Sequence, residues 1–302
     1  MIEEIRREGQ PPVPIWLDVS DPTASELGTL AQSYRLHPTL VADCLEPLHL
    51  PKHEQSGDVT FLIVRAFDAE APAEDTSVQS LTRKVAVFLG NRFLITAHRR
   101  DQDFLRPILR KYHDAPGPVY LLTVMLEVLV GAVETYHAPL EEAEAQIHAF
   151  EAALLTDRRD AAHWTAIFRT QARLTVIKRM LWHTLNAVQH FVPRSERSLP
   201  LCQDLRERIE SLLFFADNLL EDLRNLLAIQ LSLAANDTND VMRTLAIYSV
   251  FFMPLSFIAG VYGMNFQGIP ELQWRHGYVF VWGTFALVAF AIWRWFRKKH
   301  WL

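Results

Sequence analysis

The residues best suited to ion chemistry lie in a short polar segment between two apolar runs near the end of the sequence. Asn265 follows the first run and carries a neutral amide oxygen, while Glu271 is the only acid between residues 263 and 276. Amide and carboxylate oxygens are ligands for hard dications, and a strongly hydrated ion can also be held through its water molecules. Glu271 is therefore a candidate for attracting cations, although a solvated loop carboxylate explains it equally well.

A second group of candidates consists of acids on the helix that is predicted after residue 200. Most of these carboxylates fit a solvated helix face, so their type alone does not predict metal binding. The group comprises Asp204, Glu207, Glu210, Asp217, Glu221 and Asp222.

The cysteines and histidines form no metal-ligand spacing. Cys44 and Cys202 lie far apart, which fits two reduced cysteines in a cytosolic domain. Only His183 and His190 among the 12 histidines are predicted to share a helix face. No nucleophile elbow, phosphate loop or metalloprotease motif occurs, so neither enzyme activity nor a cofactor is predicted.

The hydrophobic residues are concentrated at the C-terminal end of the chain. The 302 residues are 50% hydrophobic, close to an ordinary soluble protein, and the formal net charge is −5. This balance argues against nucleic acid as a partner. The charged segment 1–10 predicts no cleavable signal peptide, so the bulk of the protein is expected to stay in the cytoplasm.

Residues 1–115 alternate strand and helix patterns, which predicts a cytoplasmic α/β domain. Thr23 and Glu26 have capping-box spacing before an apolar helix. Gly90-Asn91 is a good two-residue hairpin turn. Strands are predicted at residues 14–19, 60–67, 84–89 and 92–96.

Residues 116–240 are predicted to form a cytoplasmic region of long helices. From Leu201 onward there is no proline before Pro254 and no glycine before Gly260, and leucines recur at helical spacing. These features predict one helix of exceptional length. Such a helix exceeds what one globular core can bury, so we expect it to pack against copies of itself.

Residues 241–302 are predicted to form a transmembrane domain. Two spans are expected at about 244–262 and 277–296, joined by an external loop at about 263–276. Positive charge favours the cytoplasmic side, so both termini are predicted to be cytoplasmic and the protein to be multi-pass in the plasma (inner) membrane. The charges are Arg243, Arg294, Arg297, Lys298 and Lys299, against Arg275 alone in the loop.

The segment Tyr262-Gly263-Met264-Asn265-Phe266 resembles the Gly-Met-Asn signature of the CorA family of magnesium transporters. The tripeptide alone is weak evidence, but further similar segments occur in the family's order over nearly the whole chain. They are Trp16-Leu17-Asp18, Asp21-Pro22-Thr23, Leu36-His37-Pro38, Asn239-Asp240-Val241-Met242, Phe252-Met253-Pro254-Leu255, Pro270-Glu271-Leu272 and the basic tail 297–302.

This resemblance implies a funnel-shaped homopentamer in membrane lipid, with an α+β cytoplasmic domain followed by long stalk helices and two transmembrane helices. It implies magnesium uptake gated by cytoplasmic Mg²⁺, with Co²⁺, Ni²⁺ or Zn²⁺ as further ions. Five copies of Asn265 would form a ring of amide oxygens at the pore mouth. By resemblance, the selectivity motif is Gly263, Met264 and Asn265, and the pore is lined by Asn239, Met242, Leu245, Met253 and Ser256.

The resemblance also implies regulatory metal sites, because carboxylates between neighbouring cytoplasmic domains bind Mg²⁺ in the family and hold the channel closed. Counting back from Asn265 without gaps aligns Asp204 with such an acid, and Glu207 lies three residues further along. On the adjacent domain the partner is expected at Asp101 or Asp103.

Some residues depart from the family pattern. Ser256 stands where magnesium-transporting members commonly have threonine, and Ala228 stands where some members have a stalk acid. Gln267-Gly268-Ile269-Pro270 is similar to the zinc-transporting ZntB branch. The alternative function is therefore a ZntB-like transporter of zinc or another transition metal, with possible proton coupling. A membrane-anchored scaffold or enzyme without transport leaves the Asn265 motif unexplained.

Overall fold

The computed structural model describes residues 2–5, 15–114, 120–156, 161–191, 200–264 and 274–299. The chain divides into two compact units, Met1–Leu226 and Leu227–Leu302, which we call the head unit and the C-terminal unit. The elements are β1 (Ile2–Ile5), β2 (Ile15–Ser20), α1 (Ala24–Tyr34), α2 (Pro38–Leu45), β3 (Lys52–Ser56), β4 (Val59–Phe67), α3 (Val78–Leu81), β5 (Thr82–Leu89), β6 (Phe93–His98), α4 (Leu105–Asp114), α5 (Leu121–Glu134), α6 (His137–Thr156), α7 (Ala161–Phe191), α8 (Pro200–Tyr262) and α9 (Gly277–Lys298).

A mixed sheet with the strand order β1-β2-β6-β5-β4-β3 lies in the head unit. β2 pairs with β6 in parallel, and the other neighbouring pairs in this sheet are antiparallel. The turn between β5 and β6 is closed by the Gly90 N–H, which donates to the Phe93 carbonyl at 2.8 Å. The predicted hairpin is confirmed, but residues 90–92 separate its strands instead of two residues.

The central strands of this sheet are buried on both faces. On one face the rings of Phe61 and Phe88 lie 4.6 Å apart between centroids, and they belong to a core that includes Leu27 of α1 and Leu40 of α2. On the other face α5 packs against β4 and β5. Because full burial of a large apolar side chain stabilises by about 1.5–3 kcal/mol, these two layers dominate the stability of the sheet.

Local sequence signals set the first two helices. Thr23 caps α1 with its side chain, and Glu26 returns a hydrogen bond to the Thr23 backbone, so the predicted capping box is confirmed. The His37 side chain caps α2, and Pro38 occupies its first turn, where its missing N–H costs nothing. Arg35 ends α1 in the left-handed conformation at φ 53°.

Three helical stretches are long and apolar enough to cross a membrane by length and composition: Leu121–Leu154, α8 and α9. In the first of them 44% of the most apolar window is buried, against none in α8 and 6% in α9. Near the end of α5, Thr135 accepts from the Phe67 N–H at 2.7 Å, and the Tyr136 hydroxyl donates to a carbonyl of β4 at 2.8 Å. These contacts make α5 a core helix of the head unit.

Several elements differ from the sequence-based expectation. The edge strands β1 and β3 and the helix α4 were not predicted. The long-helix region predicted from residue 116 begins with two helices, α5 and α6, with Thr135 and Tyr136 between them. The uninterrupted helix predicted from Leu201 is confirmed as α8, which continues through Pro254. The predicted division into 1–115, 116–240 and 241–302 stays a prediction.

Candidate functional site

The five side chains expected to line a pore lie on one part of α8 and are exposed in the single chain. Met242, Leu245 and Met253 are 59%, 60% and 72% exposed, and Asn239 and Ser256 are also exposed. At about 100° of rotation per residue, the five lie within an arc of about 120°. α8 therefore presents an apolar stripe with a polar residue near each end, and no part of this stripe is used to pack the chain itself.

Hydroxyl groups in this part of α8 are satisfied within the helix. Thr238 donates to the Ala234 carbonyl at 3.0 Å, and Thr244 and Ser249 donate to the carbonyls four residues earlier at 2.9 Å each. Internal hydrogen bonds of this kind lower the cost of placing a hydroxyl in hydrocarbon. Pro254 has no N–H, so the i−4 carbonyl lacks its usual donor at one position of the apolar stretch.

The end of α8 explains one residue of the predicted selectivity motif. The Gly263 N–H donates to the Ala259 carbonyl at 2.9 Å, and a Cβ on Gly263 would lie 3.1 Å from that oxygen. Gly263 does not have a positive φ, so a side chain at this position would be limited by the close Ala259 carbonyl and not by a left-handed turn. Met264 follows at 48% exposed. Asn265 and Glu271 lie outside the described residues.

Asp204, the predicted regulatory acid, is paired within its own chain. Arg208 Nε donates to Asp204 Oδ2 at 3.0 Å, and Arg208 Nη1 donates to Glu134 Oε2 at 3.0 Å. The hydrogen bond to Asp204 is the main reason why the pKa of Arg208 is raised. Both acids are about half exposed, and such pairs contribute only about 0–1 kcal/mol, so Arg208 holds Asp204 only weakly.

The two predicted partner acids share another arginine. Arg106 contacts Asp101 at 3.2 Å and Asp103 at 3.6 Å, and Ser20 also donates to Asp101 at 3.2 Å. The hydrogen bonds from Arg106 and Ser20 lower the pKa of Asp101. Asp103 is 95% exposed at its side chain.

One chain does not assemble the predicted regulatory site from these acids. Across the described ranges, no group of three or more His, Cys, Asp or Glu side chains is placed to hold a metal ion. Asp101 and Asp103 are therefore brought together by Arg106, but Asp204 does not join them, and Glu207 lies exposed on α8. A site built from these residues requires a second copy of the chain.

The sequence reasoning missed a buried polar network in the head unit. Asp18 accepts from Thr96 at 2.5 Å and pairs with His98 Nε2 at 3.1 Å, while Trp16 Nε1 donates to Thr96 at 3.1 Å. Burial opposes a charge on His98, but Asp18 outweighs this effect, so the pKa of His98 is raised. The Trp16-Leu17-Asp18 segment was the only available signal, because its partners lie about 80 residues away.

The family follows from a comparison of the whole sequence. The profile of the CorA-like Mg²⁺ transporter protein matches residues 13–298. The chain belongs to this family. CorA-family proteins are transporters or channels for divalent cations, so the protein is a CorA-family transporter and not an enzyme.

Individual CorA relatives are similar at modest identity. The cobalt/magnesium transport protein CorA of Thermotoga maritima is 24% identical over 301 residues, which cover 96% of this chain and 84% of the relative. The structure of the CorA magnesium transporter from Methanocaldococcus jannaschii matches with a TM-score of 0.78 at 19% identity, covering 98% and 94% of the two chains. This match confirms the expected order of α+β domain, long helix and C-terminal apolar helices.

The chain is also similar in fold to the cytoplasmic domain of a ZntB protein. The ZntB cytoplasmic domain from Vibrio parahaemolyticus matches with a TM-score of 0.61 at 13% identity, covering 74% of this chain and 89% of that domain. At this identity the likeness shows the fold alone. The CorA head fold therefore does not distinguish a magnesium transporter from a zinc transporter.

Proposed function

We propose that five copies of this chain form a divalent cation channel that takes up Mg²⁺ and closes when cytoplasmic Mg²⁺ is high. The observation that carries this proposal is that no residue in the most apolar window of α8 is buried in one chain. Two helices cannot enclose an aqueous path, so transport requires several copies around an axis. A ring of α8 helices would cover this surface with protein on one side and lipid on the other.

The pore assignment rests on the resemblance to the CorA family, and the order of side chains along α8 supports it. Asn239 lies on the polar side of the apolar stretch, and Met242 and Leu245 follow within two turns on the same arc. Repeated around an axis, the latter two form an apolar constriction that excludes hydrated ions by dewetting. Met253 and Ser256 continue the path toward Gly263, with Asn265 providing amide oxygens at its mouth.

Membrane orientation follows from charge. Arg297 and Lys298 lie in the last turn of α9, and Arg243 precedes the apolar part of α8. Positive residues favour the cytoplasmic side, so both termini and the head unit are placed in the cytoplasm, with two spans in the inner membrane. The packing of α5 on the sheet supports two spans instead of three.

Magnesium is favoured over zinc by the donors available. Oxygen ligands suit Mg²⁺, whereas zinc sites are commonly built with histidine and cysteine. Three head histidines already have structural partners: His37 caps α2, His49 contacts Asp43 at 2.8 Å, and His98 pairs with its buried acid. The magnesium and cobalt transport named for the Thermotoga relative supports the same choice. The similarity to the ZntB head keeps a zinc transporter, with or without proton coupling, as the second candidate.

Regulation is proposed to act through Asp204 and Glu207 on α8 of one subunit and Asp101 or Asp103 of its neighbour. An arginine holds Asp204 and another holds Asp101, so each charge is partly neutralised when the ion is absent. Mg²⁺ at the interface would replace these weak pairs with bridges between subunits. The ion would favour the closed state because it binds that state better.

Ion flux into liposomes tests the function. Purified protein is reconstituted and uptake of Mg²⁺, Co²⁺, Ni²⁺ and Zn²⁺ is measured, each with and without a pH gradient. The proposal expects Mg²⁺ uptake that follows membrane potential and is insensitive to the pH gradient. Zinc uptake that requires the gradient, with no Mg²⁺ uptake, would establish the ZntB-like alternative instead.

A further inference from the structure

Three cationic side chains converge on the chain segment 43–49, which ends α2 and leads into β3. Lys84 Nζ donates to three backbone carbonyls of this segment, two of them at 2.7 and 2.9 Å. Arg65 Nη1 donates to two more at 3.0 and 3.1 Å, and Arg99 Nη2 donates to another at 2.7 Å. Cations at a helix C-terminus are stabilising, so these contacts account for the position of the segment.

Carboxylates compensate these charges only in part, because the charge of the nearby Glu46 favours the charged Lys84 amine but Glu46 forms no ion pair with it. Among the described residues, Arg65, Lys84 and Arg99 form no ion pair with a carboxylate, although Arg65 is only 3% exposed. Carbonyl dipoles solvate a cation without cancelling its charge, and an unpaired buried charge is costly. Burial is the main cause that lowers the pKa of Lys84 to about 8, and the nearby arginines contribute. The cluster therefore creates a local excess of positive charge.

A cavity of about 150 Å³ lies beside this cluster, and we call it the basic pocket. No aspartate or glutamate is among its lining residues. Two further cations of the lining have carboxylate partners elsewhere, since Arg83 contacts Asp68 and His98 contacts Asp18. The polar and charged lining consists of Arg65, Gln79, Thr82, Arg83, Lys84, His98, Arg99, Arg100 and Gln102.

We propose that the basic pocket binds a small anion that carries a phosphoryl group. Arg65, Lys84, Arg99 and Arg100 line the pocket without an ion pair among the described residues, so a phosphoryl dianion offsets two of these four charges, whereas a monovalent anion offsets one. Arg65 uses four of its five N–H groups on protein oxygens, but Arg99 uses one and keeps its guanidinium available for a two-pronged contact. The cavity is smaller than pockets for drug-sized ligands, which measure about 300–1,000 Å³, so the phosphoryl group is the recognised part.

This site is independent of the proposed transport function, because it lies in the head unit and uses none of the residues assigned to the ion path. It makes a specific prediction about protons. An anion bound beside Lys84 favours the charged amine, so binding raises the pKa of Lys84. Affinity should therefore fall as the pH rises through about 8, and binding near that pH should take up protons.

Calorimetry on the full-length protein in detergent tests the proposal, at constant ionic strength set with chloride. The probes are inorganic phosphate and adenosine monophosphate, which separate a bare phosphate from a phosphorylated organic molecule. Saturable binding of either probe is expected, with a higher thermal midpoint. For the monophosphate, which is dianionic across this range, the affinity should be lower at pH 9 than at pH 7.

Matched variants locate the site. Arg99→Gln should weaken binding about ten-fold, the usual order for losing charge-assisted hydrogen bonds, and Arg100→Gln provides a second variant that leaves the segment 43–49 in place. Arg92→Gln is the control, because Arg92 is exposed at the opposite end of β6, roughly 20 Å away. No saturable binding of either probe at 10 mM, or equal binding by all three variants, would overturn the proposal.

Discussion

The head unit buries most of its large apolar side chains within the chain, whereas the C-terminal unit exposes many of them. Of the 27 exposed large hydrophobic side chains in the described ranges, 21 lie after Leu226, although the C-terminal unit is the shorter one. The head unit instead buries both faces of the central strands of its sheet. The head unit therefore covers most of its apolar surface within one chain, whereas the proposed channel leaves the surface of the C-terminal unit to be covered by lipid and by further copies.

The polar residues of the two units also differ, in whether they have partners within the chain. In the head unit Asp18, Arg65 and Lys84 have protein partners inside the chain. In the C-terminal unit Asn239 and Ser256 are exposed on the same side of α8 as Met242 and Leu245. Residues that act on an ion between subunits must stay available in the single chain, and the exposure of these side chains is consistent with the proposed pore.

The largest effect is expected at the mouth of the proposed pore. Asn265→Ala removes one amide oxygen from every subunit at once, so we predict normal assembly with loss of most Mg²⁺ uptake in liposomes. Asn236→Ala is the matched control, because Asn236 is exposed on α8 outside the proposed pore arc. Wild-type flux from a correctly assembled Asn265→Ala protein would refute the selectivity assignment.

A polar substitution in the proposed apolar constriction should increase ion uptake instead of decreasing it. Leu245→Ser places a hydroxyl where dewetting blocks hydrated ions, so uptake at high internal Mg²⁺ should rise several-fold. Ile247→Ser, on the other side of the same helix turn, should leave the flux near wild type because that side faces away from the pore. Equal flux changes in both variants would contradict the assignment of Leu245 to the pore and of Ile247 to the side that faces away from it.

A smaller change is expected from the proposed sensor. Asp204→Asn weakens a metal bridge between head units, so the Mg²⁺ concentration that protects α8 from proteolysis and closes the channel should increase several-fold. Glu134→Gln is a sharp control, because it removes the other acid bound to Arg208 and leaves Asp204 intact. If both variants keep the wild-type Mg²⁺ dependence, Asp204 is not part of the sensor.

The smallest effect concerns the stability of the head unit against pH. The pKa of His98 is raised in the folded state, so its pairing with Asp18 stabilises fully below the unfolded value of about 6.5. This contribution should disappear as the pH rises through the higher folded pKa, lowering the thermal midpoint by a few degrees. Circular dichroism melts across that window measure the change. His98→Gln should flatten this part of the profile, whereas His148→Gln, at an exposed histidine, should preserve it.

Local signals made part of the fold predictable from sequence. The capping box at Thr23, the hairpin after Gly90 and the length of α8 each follow from residues close together in the chain. The strand β3, Lys52–Ser56, is polar along its length and forms because β4 offers it an open edge. The five polar residues of β3 carry no sequence pattern that predicts pairing with β4.

The candidate sites also differ in whether their residues lie close together in the sequence. Helical spacing alone predicts that the five side chains implied by the family resemblance share one face of α8, while their role in a pore stays a prediction. The pairing of Asp18 with His98 and the basic pocket were not predictable, because strand order brings together residues that are distant in sequence. The contact between Asp204 and Arg208 has i,i+4 spacing and could have been predicted, which would have shown that the proposed sensor acid starts from a paired state.

The native mass of the solubilised protein tests the central claim most directly, namely that the C-terminal unit is completed by other copies. Light scattering or native mass spectrometry in detergent should give five copies of the 34.8 kDa chain, about 174 kDa of protein. The same preparation should take up Mg²⁺ after reconstitution. A stable monomer of 34.8 kDa that transports Mg²⁺ would contradict the account, because one chain cannot surround an ion path.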